Sequence, residues 1–294
     1  MTLLIVAAAC IGLFVARPGS ADACEVLVVK SVELKPYQDV VRGLTDTSTC
    51  AVRELRLRDK EGIEKILQRP ADVVVALGTT AFRKVKTIKN FPVVYAMVMP
   101  TETALSLPPN ISGVSMTVSP EASLSAIREV FPQAKRIGLI YDPKHTAEFV
   151  EEAARAARAA GFELVVRQAH NPSEVPGSVD SLRDRMDVFW MLPDPTVVTV
   201  ETIEYLLRFS FQYNVPVFSF SKKYVEMGAV AALDLDLYGM GVQAGEIASV
   251  LAKGGTVPVR SYARKAHFLI NAKVAAKMGL EIQDEVMKKV KNLE

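Results

Sequence analysis

The chain is poor in the groups that metal and nucleophilic chemistry draw on. Its three histidines, His145, His170 and His267, are scattered. None stands near another histidine or a cysteine at ligand spacing, which argues against a zinc site. There is no G-x-S-x-G, no G-x-x-x-x-G-K-[ST] and no H-E-x-x-H. Gly239-Met240-Gly241 lies inside a helical pattern and follows no strand, so it is no dinucleotide loop. Nothing points to a catalytic set, and no cofactor or metal is expected. An excess of one charge is also missing. Lys and Arg total 35 against 33 Asp and Glu, and the basic residues are dispersed except for Lys288, Lys289 and Lys291. That disfavours a nucleic-acid partner. Beyond the first turns of the chain no segment reaches about 18 consecutive apolar residues, so the mature chain is expected to be soluble.

Residues 3–16 are almost wholly apolar, the length of a signal-peptide core and short for a membrane span. Arg17-Pro18-Gly19-Ser20 follows, then Ala21-Asp22-Ala23, which fits a small-x-small cleavage site. The segment before the apolar run carries no Lys or Arg, a departure from the usual pattern. We expect residues 1–23 to be a signal peptide cleaved after Ala23, with an uncleaved anchor as the alternative. The product would be periplasmic or on the cell surface. Cys24 would then be the first residue. It is open to lipid attachment, although Ala21 stands where bacterial lipoproteins usually have Leu. Cys50 is the better partner, and a disulfide is expected, since each cysteine directly precedes an apolar, strand-like run at the same edge of a parallel sheet. An oxidising compartment would close that pair. Cys10 lies in the discarded segment.

Half of the 294 residues are hydrophobic, so the chain folds, and its length suits two domains. Strand and helix patterns alternate. Strands are expected at 25–30, 52–57, 73–77 and 92–97, with helices at 37–44, 61–68 and 81–87. Residues 101–110 read as a loop, 113–116 as a short edge strand, and Ser119-Pro120-Glu121 as a strong helix opening. After a break at Phe131-Pro132-Gln133 the rhythm restarts. Strands are expected at 136–141, 162–167, 188–192 and 215–218, and helices at 148–160, 178–186 and 199–213. A helix at 238–253, a strand at 266–270 and helices at 273–278 and 284–293 complete the chain. Such alternation means right-handed crossovers and parallel sheets. Trp190, in mid-strand, is expected in the core.

The stretch Ala71 to Ala81 anchors the first unit. Val73 to Leu77 suits a strand buried on both faces. Gly78 ends it, and Thr79 and Thr80 are placed as a hydroxyl cap on the next helix, where backbone N–H groups favour an anion. A capped helix start that binds nothing is the plainer alternative. Loops at other strand ends, at 31–37, 97–101, 141–142, 193–196 and 219–222, are rich in hydroxyls, Pro and Asp. Two α/β lobes with such edges facing each other make a cleft, a favoured ligand site.

Several segments together resemble one family. They are Leu77-Gly-Thr-Thr-Ala81, Pro92-Val-Val-Tyr-Ala96, Ile111-Ser-Gly-Val-Ser115, Arg136-Ile-Gly-Leu-Ile-Tyr-Asp142, Pro216-Val-Phe-Ser219, Met227-Gly-Ala-Val-Ala-Ala-Leu233 and Gly241-Val-Gln-Ala-Gly245. In this order they resemble the ABC-transporter substrate-binding family of type I periplasmic-binding-protein fold, whose characterised members bind aromatic amino acids. The resemblance covers nearly all of the mature chain. It implies an α/β fold of two doubly wound parallel-sheet lobes joined by three crossings, near Pro132, Leu235 and Thr256. The first lobe would hold 24–132 and 236–256, and the second 133–235 and 257–294. It also implies a monomer that delivers a small amino-acid-like carboxylate, aromatic or branched, to an ABC permease in the membrane. Gly78, Thr79 and Thr80 would take the ligand carboxylate. Asp142 or Asp194 would pair with its amine, and Tyr37, Tyr95, Tyr141 or Phe220 would stack on its side chain. Met97, Thr196 and Ser219 complete the expected lining. Each has an ordinary role as turn or core residue. Two other readings stand beside this one: a transferase-like enzyme using Asp142, Asp194 or Glu226 across the cleft, and a ligand-sensing domain of a membrane receptor.

Overall fold

A computed structural model describes residues 24–57, 71–103 and 107–290. The expected signal peptide and the expected helix at 61–68 lie outside the described residues. The first layer is built from β1 (Glu25–Lys30), α1 (Lys35–Thr47), β2 (Ala51–Arg56), β3 (Val73–Leu77), α2 (Thr79–Val85), β4 (Val93–Ala96), α3 (Pro100–Thr103) and β5 (Ile111–Gly113). Its sheet has the order β2-β1-β3-β4-β5 with every pair parallel. The central strands are unbroken apolar runs because both faces are covered. Along β1 the side chains alternate. Val26 and Val28 pack with Val40 and Leu44 of α1, while Leu27 and Val29 pack with Phe82 and Val85 of α2 on the other face. The edge strand β2 is only partly covered.

The chain continues through α4 (Pro120–Val130), β6 (Arg136–Tyr141), α5 (Pro143–Ala159), β7 (Glu163–Gln168), α6 (Val175–Asp180), β8 (Val188–Trp190), α7 (Val200–Tyr213), β9 (Val217–Ser219), α8 (Lys222–Met227) and β10 (Ala231–Leu235). It ends with α9 (Leu237–Ala252), β11 (Ala266–Ile270), α10 (Ala272–Lys277) and α11 (Asp284–Lys289). The second sheet runs β11-β10-β9-β8-β6-β7, parallel except for the β10–β11 pair. One face carries α4, α5 and α10 over Ile137, Leu139 and Trp190, and the other carries α6 and α7 over Ile140, Phe189 and Val217. The helix expected at 178–186 is instead α6 followed by one 3₁₀ turn at Arg183–Arg185. Among the described residues no helix is long and apolar enough to cross a membrane.

Helix α9 returns from far along the chain to lie on α1. Glycines make that approach possible: a Cβ at Gly241 would stand 2.0 Å from the Val40 carbonyl oxygen, and one at Gly43 would stand 2.1 Å from that of Tyr238. Cys24 and Cys50 are joined by a disulfide at the N-terminal edge of β1 and β2, the pairing expected for this edge.

Two crossings lie elsewhere than the expected positions. Leu124, Ile127 and Val130 of α4 pack into the core of the second sheet, so the chain leaves the first layer between Gly113 and Pro120, ahead of Pro132. The Pro132 break ends a helix but does not decide which sheet that helix covers. On the last passage, the Ser261 N–H donates to the Gly113 carbonyl, the Ser115 N–H to the Ser261 carbonyl, and the Ala263 N–H to the Thr117 carbonyl. Residues 261–263 therefore run beside 113–117, and Ala263 still packs with the first layer. The chain joins the second sheet only at β11, beyond Thr256. The middle passage, from β10 into α9 at Asp236, falls beside Leu235.

Candidate functional site

The carboxyl ends of the two sheets face a common cleft. It holds a cavity of about 440 Å³ and a second of about 430 Å³, with Pro100, Met116 and Pro193 on the walls of both. Volumes of this order suit small-molecule ligands. Helix α3 touches α5 across the gap. The 440 Å³ cavity is walled by α3, residues 115–117, the first turns of α5, and Arg260 and Tyr262 of the last crossing. The 430 Å³ cavity is walled by Met99, Asp194, Phe220, Tyr224 and Leu237 among others.

The glycine–threonine turn differs in detail from the expected cap. Helix α2 starts at Thr79, with Gly78 itself as the cap residue at φ 88°. Gly is required there both by that positive φ and by crowding, since a Cβ would meet the Tyr37 hydroxyl at 2.5 Å. The hydroxyl that satisfies the helix start comes from the β1 loop: Ser31 Oγ accepts from the Ala81 N–H at 2.8 Å. Thr79 Oγ1 accepts from the Met99 N–H at 3.2 Å, and Thr80 is exposed. Tyr37 is half-buried over the Gly78 turn. Met97, in the left-handed region at φ 56°, is half-buried against the α1–α9 core. None of Tyr37, Gly78, Thr79, Thr80 or Met97 lines either large cavity.

Tyr95 is fully buried, edge-on to Phe82 at 5.6 Å, and its hydroxyl has no hydrogen-bond partner. Burial pushes its pKa up, against a smaller opposing effect of the nearby Arg260 guanidinium. Tyr141 turns toward β7, where its hydroxyl accepts from Gln168.

Asp142 and Asp194, 2 % and 0 % exposed, form one network. Asp142 caps α5: Oδ1 accepts from the Lys144 N–H and Oδ2 from the Thr196 hydroxyl. Asp194 Oδ2 accepts from the Asp142 N–H and the Thr146 hydroxyl, and Oδ1 from the Thr196 N–H. All four oxygens are thus engaged, and they tie the loop after β6 to the loop after β8. Helix α5 kinks at Thr146, the residue that bonds Asp194. Burial would raise the Asp142 pKa, but the Lys144 N–H, the Thr196 hydroxyl and the neighbouring His145, 3.7 Å away, together hold it below its ordinary value. Ser219 is buried and lines neither large cavity, while its neighbour Phe220 leans on Tyr224 at 5.2 Å and reaches the 430 Å³ cavity.

Three groups that the sequence did not single out dominate the 440 Å³ cavity. Phe149 on α5 stacks edge-on with Trp190 at 5.8 Å and with Tyr262 at 6.1 Å, so an aromatic column runs from the core of the second sheet to the last crossing. Trp190 is at once core, as expected, and the base of this column. The Tyr262 hydroxyl donates to Glu152, and burial together with that bond raises its pKa. Arg260 donates through Nη1 to Glu148 of α5 and through Nη2 to the Thr103 carbonyl of α3, so it spans the two layers. Its Nε is buried and unpartnered. In the sequence Phe149 reads as one more apolar position on an Ala-rich helix, and Arg260 as one charge in a linker. Nothing local marks either.

Residues 60–293 match the family described as ABC transporter substrate binding protein. A tyrosine-binding protein of Clostridioides difficile is 27 % identical over 207 residues, which are 66 % of this chain and 59 % of that protein. The chain thus spans about three fifths of that relative. Among solved structures, a ligand-free, open substrate binding protein with adhesive properties from Clostridium difficile superposes with a TM-score of 0.69 at 19 % identity, covering 92 % of this chain and 99 % of that one. A Streptococcus pneumoniae ABC domain in complex with L-Trp gives 0.61 at 20 %, covering 91 % and 98 %. A conserved domain protein from Vibrio cholerae gives 0.62 at 24 %, also covering 91 % and 98 %. The two-lobed α/β architecture is therefore that of the type I periplasmic binding proteins, and the chain belongs to the ABC transporter substrate-binding protein family.

Proposed function

We propose that the protein is an exported component of an ABC importer that captures an aromatic amino acid between its lobes and hands it to a membrane permease. The observation that carries this reading is the 440 Å³ interlobe cavity, which offers charges of both signs and the Phe149 and Tyr262 rings. A zwitterion with an aryl side chain needs all three. The names of the relatives, one tyrosine-binding and one holding L-Trp, agree with that chemistry. The binding reading is also supported by the fate of the carboxylates considered for catalysis. Asp142 and Asp194 are consumed in loop ties, and Glu226 pairs with Lys222 at 3.7 Å on the surface. In this reading the three passages between layers act as a hinge, ligand shifts an open–closed equilibrium, and the permease reads the closed form of a monomer in the periplasm or at the cell surface.

Thermal unfolding of residues 24–294 against a panel of amino acids tests it. Ligands of the folded state raise the midpoint by mass action. Shifts are expected with tyrosine, tryptophan or phenylalanine, and smaller ones with their amines. A shift confined to sugars or polyamines would overturn the ligand class.

A further inference from the structure

We propose that Arg260 is the receptor for the ligand carboxylate and that Glu148 holds its place until ligand arrives. This rests on the proposed binding of an aromatic amino acid and assigns the residues that read its two charges.

Arg260 sits on the last crossing, on the wall of the 440 Å³ cavity. Its guanidinium is anchored from one lobe by the Thr103 carbonyl, with the Tyr95 hydroxyl close by, and from the other it meets the Glu148 carboxylate. Glu148 is itself on the cavity wall, and its side chain is 59 % exposed against 29 % for Arg260. A flexible, largely solvated carboxylate on a better-buried guanidinium is a replaceable partner. A ligand carboxylate is the group that would replace it with the same charge and a forked geometry.

A second observation points the same way. Arg260 Nε is buried and forms no well-aligned hydrogen bond, and the buried Tyr95 hydroxyl lies close to the guanidinium. The donor fork of the guanidinium is thus incompletely used by the protein. The Phe149 and Tyr262 rings beside Arg260 would take the aryl group. Released from Arg260, Glu148 remains on the same wall, where it faces the ligand ammonium. The exchange conserves charge: one carboxylate leaves the guanidinium as another arrives, and the freed carboxylate gains the ammonium. By contrast, the turn at Gly78 to Thr80 has its Ala81 N–H already satisfied by Ser31 and lies off the cavity wall.

Calorimetric titration of the mature chain with L-tyrosine, tyramine and 3-(4-hydroxyphenyl)propionate separates the roles. Tyramine lacks the carboxylate and the propionate lacks the ammonium. Arg260→Met should weaken L-tyrosine binding about 100-fold and tyramine binding less than about 3-fold, as expected when a site built around a polar group loses its partner. Arg260→Lys, which keeps the charge but not the fork, should lie between. Glu148→Gln should reduce the preference for L-tyrosine over the propionate about 10-fold, because the competing carboxylate and the ammonium partner are lost together. If Arg260 merely braced the hinge, Arg260→Met would weaken L-tyrosine and tyramine alike, and Glu148→Gln would leave the preference unchanged. Either result overturns the assignment while the proposed ligand class stands. Wild-type protein that binds none of the three and no other aromatic amino acid removes the ligand class itself.

Discussion

Asp142 stands at the start of α5 with its oxygens turned to Lys144 and Thr196, and Asp194 accepts from both neighbouring loops. Their sequence signature, Asp before Pro after a strand, is that of a turn and of a ligand residue alike, and the structure shows the turn role filled. Because its folded pKa is depressed, Asp142 contributes stability that is present above the ordinary value of 3.8 and is lost as pH falls through the folded value. Asp142→Asn should therefore flatten the acid limb of a stability–pH curve below about pH 4, read by urea unfolding at stepped pH. Asp194→Ala leaves the Thr146 hydroxyl and two loop amides without acceptors. A loss of about 3–5 kcal/mol is expected at pH 7, measurable as a fall in the urea midpoint. Arg260 and Phe149, on the wall of the 440 Å³ cavity, are not marked in the sequence. Their meaning arises from segments more than a hundred residues apart, and neither carries a local motif.

At the scale of elements the sequence was far more legible. The unbroken apolar runs of β1, β3 and β4, the Ser119-Pro120 start of α4 and the glycine-rich face of α9 all predict what is observed, because periodicity, capping and close packing are written locally. The crossings near Pro132 and Thr256 were misplaced for the opposite reason: an amphipathic helix shows that it covers a sheet but not which one. The α1–α9 contact makes a sharp test. Gly241→Ala forces a methyl onto the Val40 carbonyl, and a loss of about 1–3 kcal/mol is expected. Gly177→Ala in α6, where nothing lies within 4 Å, should be neutral or gain about 0.5–1 kcal/mol. The denaturant midpoint should thus fall for Gly241→Ala and hold or rise for Gly177→Ala. At the sheet's edge, the Cys24–Cys50 bond closes 26 residues and is worth roughly 3 kcal/mol in the chain-entropy view. Reduction by dithiothreitol should lower the thermal midpoint of the wild type and leave that of Cys50→Ser unchanged.

At the scale of the whole molecule, two sheets with facing carboxyl ends, joined by three passages, leave a gap whose walls come from both. The contact of α3 with α5 and the Arg260 bridge span that gap without filling it. Trp190 is the sole tryptophan and lies under Phe149. Its emission should therefore change saturably when L-tyrosine or L-phenylalanine enters, and the change should be lost in Trp190→Phe. The measurement that bears most directly on the central proposal is calorimetric titration of L-tyrosine and L-tryptophan into protein stripped of bound ligand by unfolding and refolding. Saturable binding at one site per chain, with the amino acid recovered unaltered, is expected. Absence of heat with any aromatic amino acid, or recovery of a chemically changed product, would contradict a solute-binding role in this cleft.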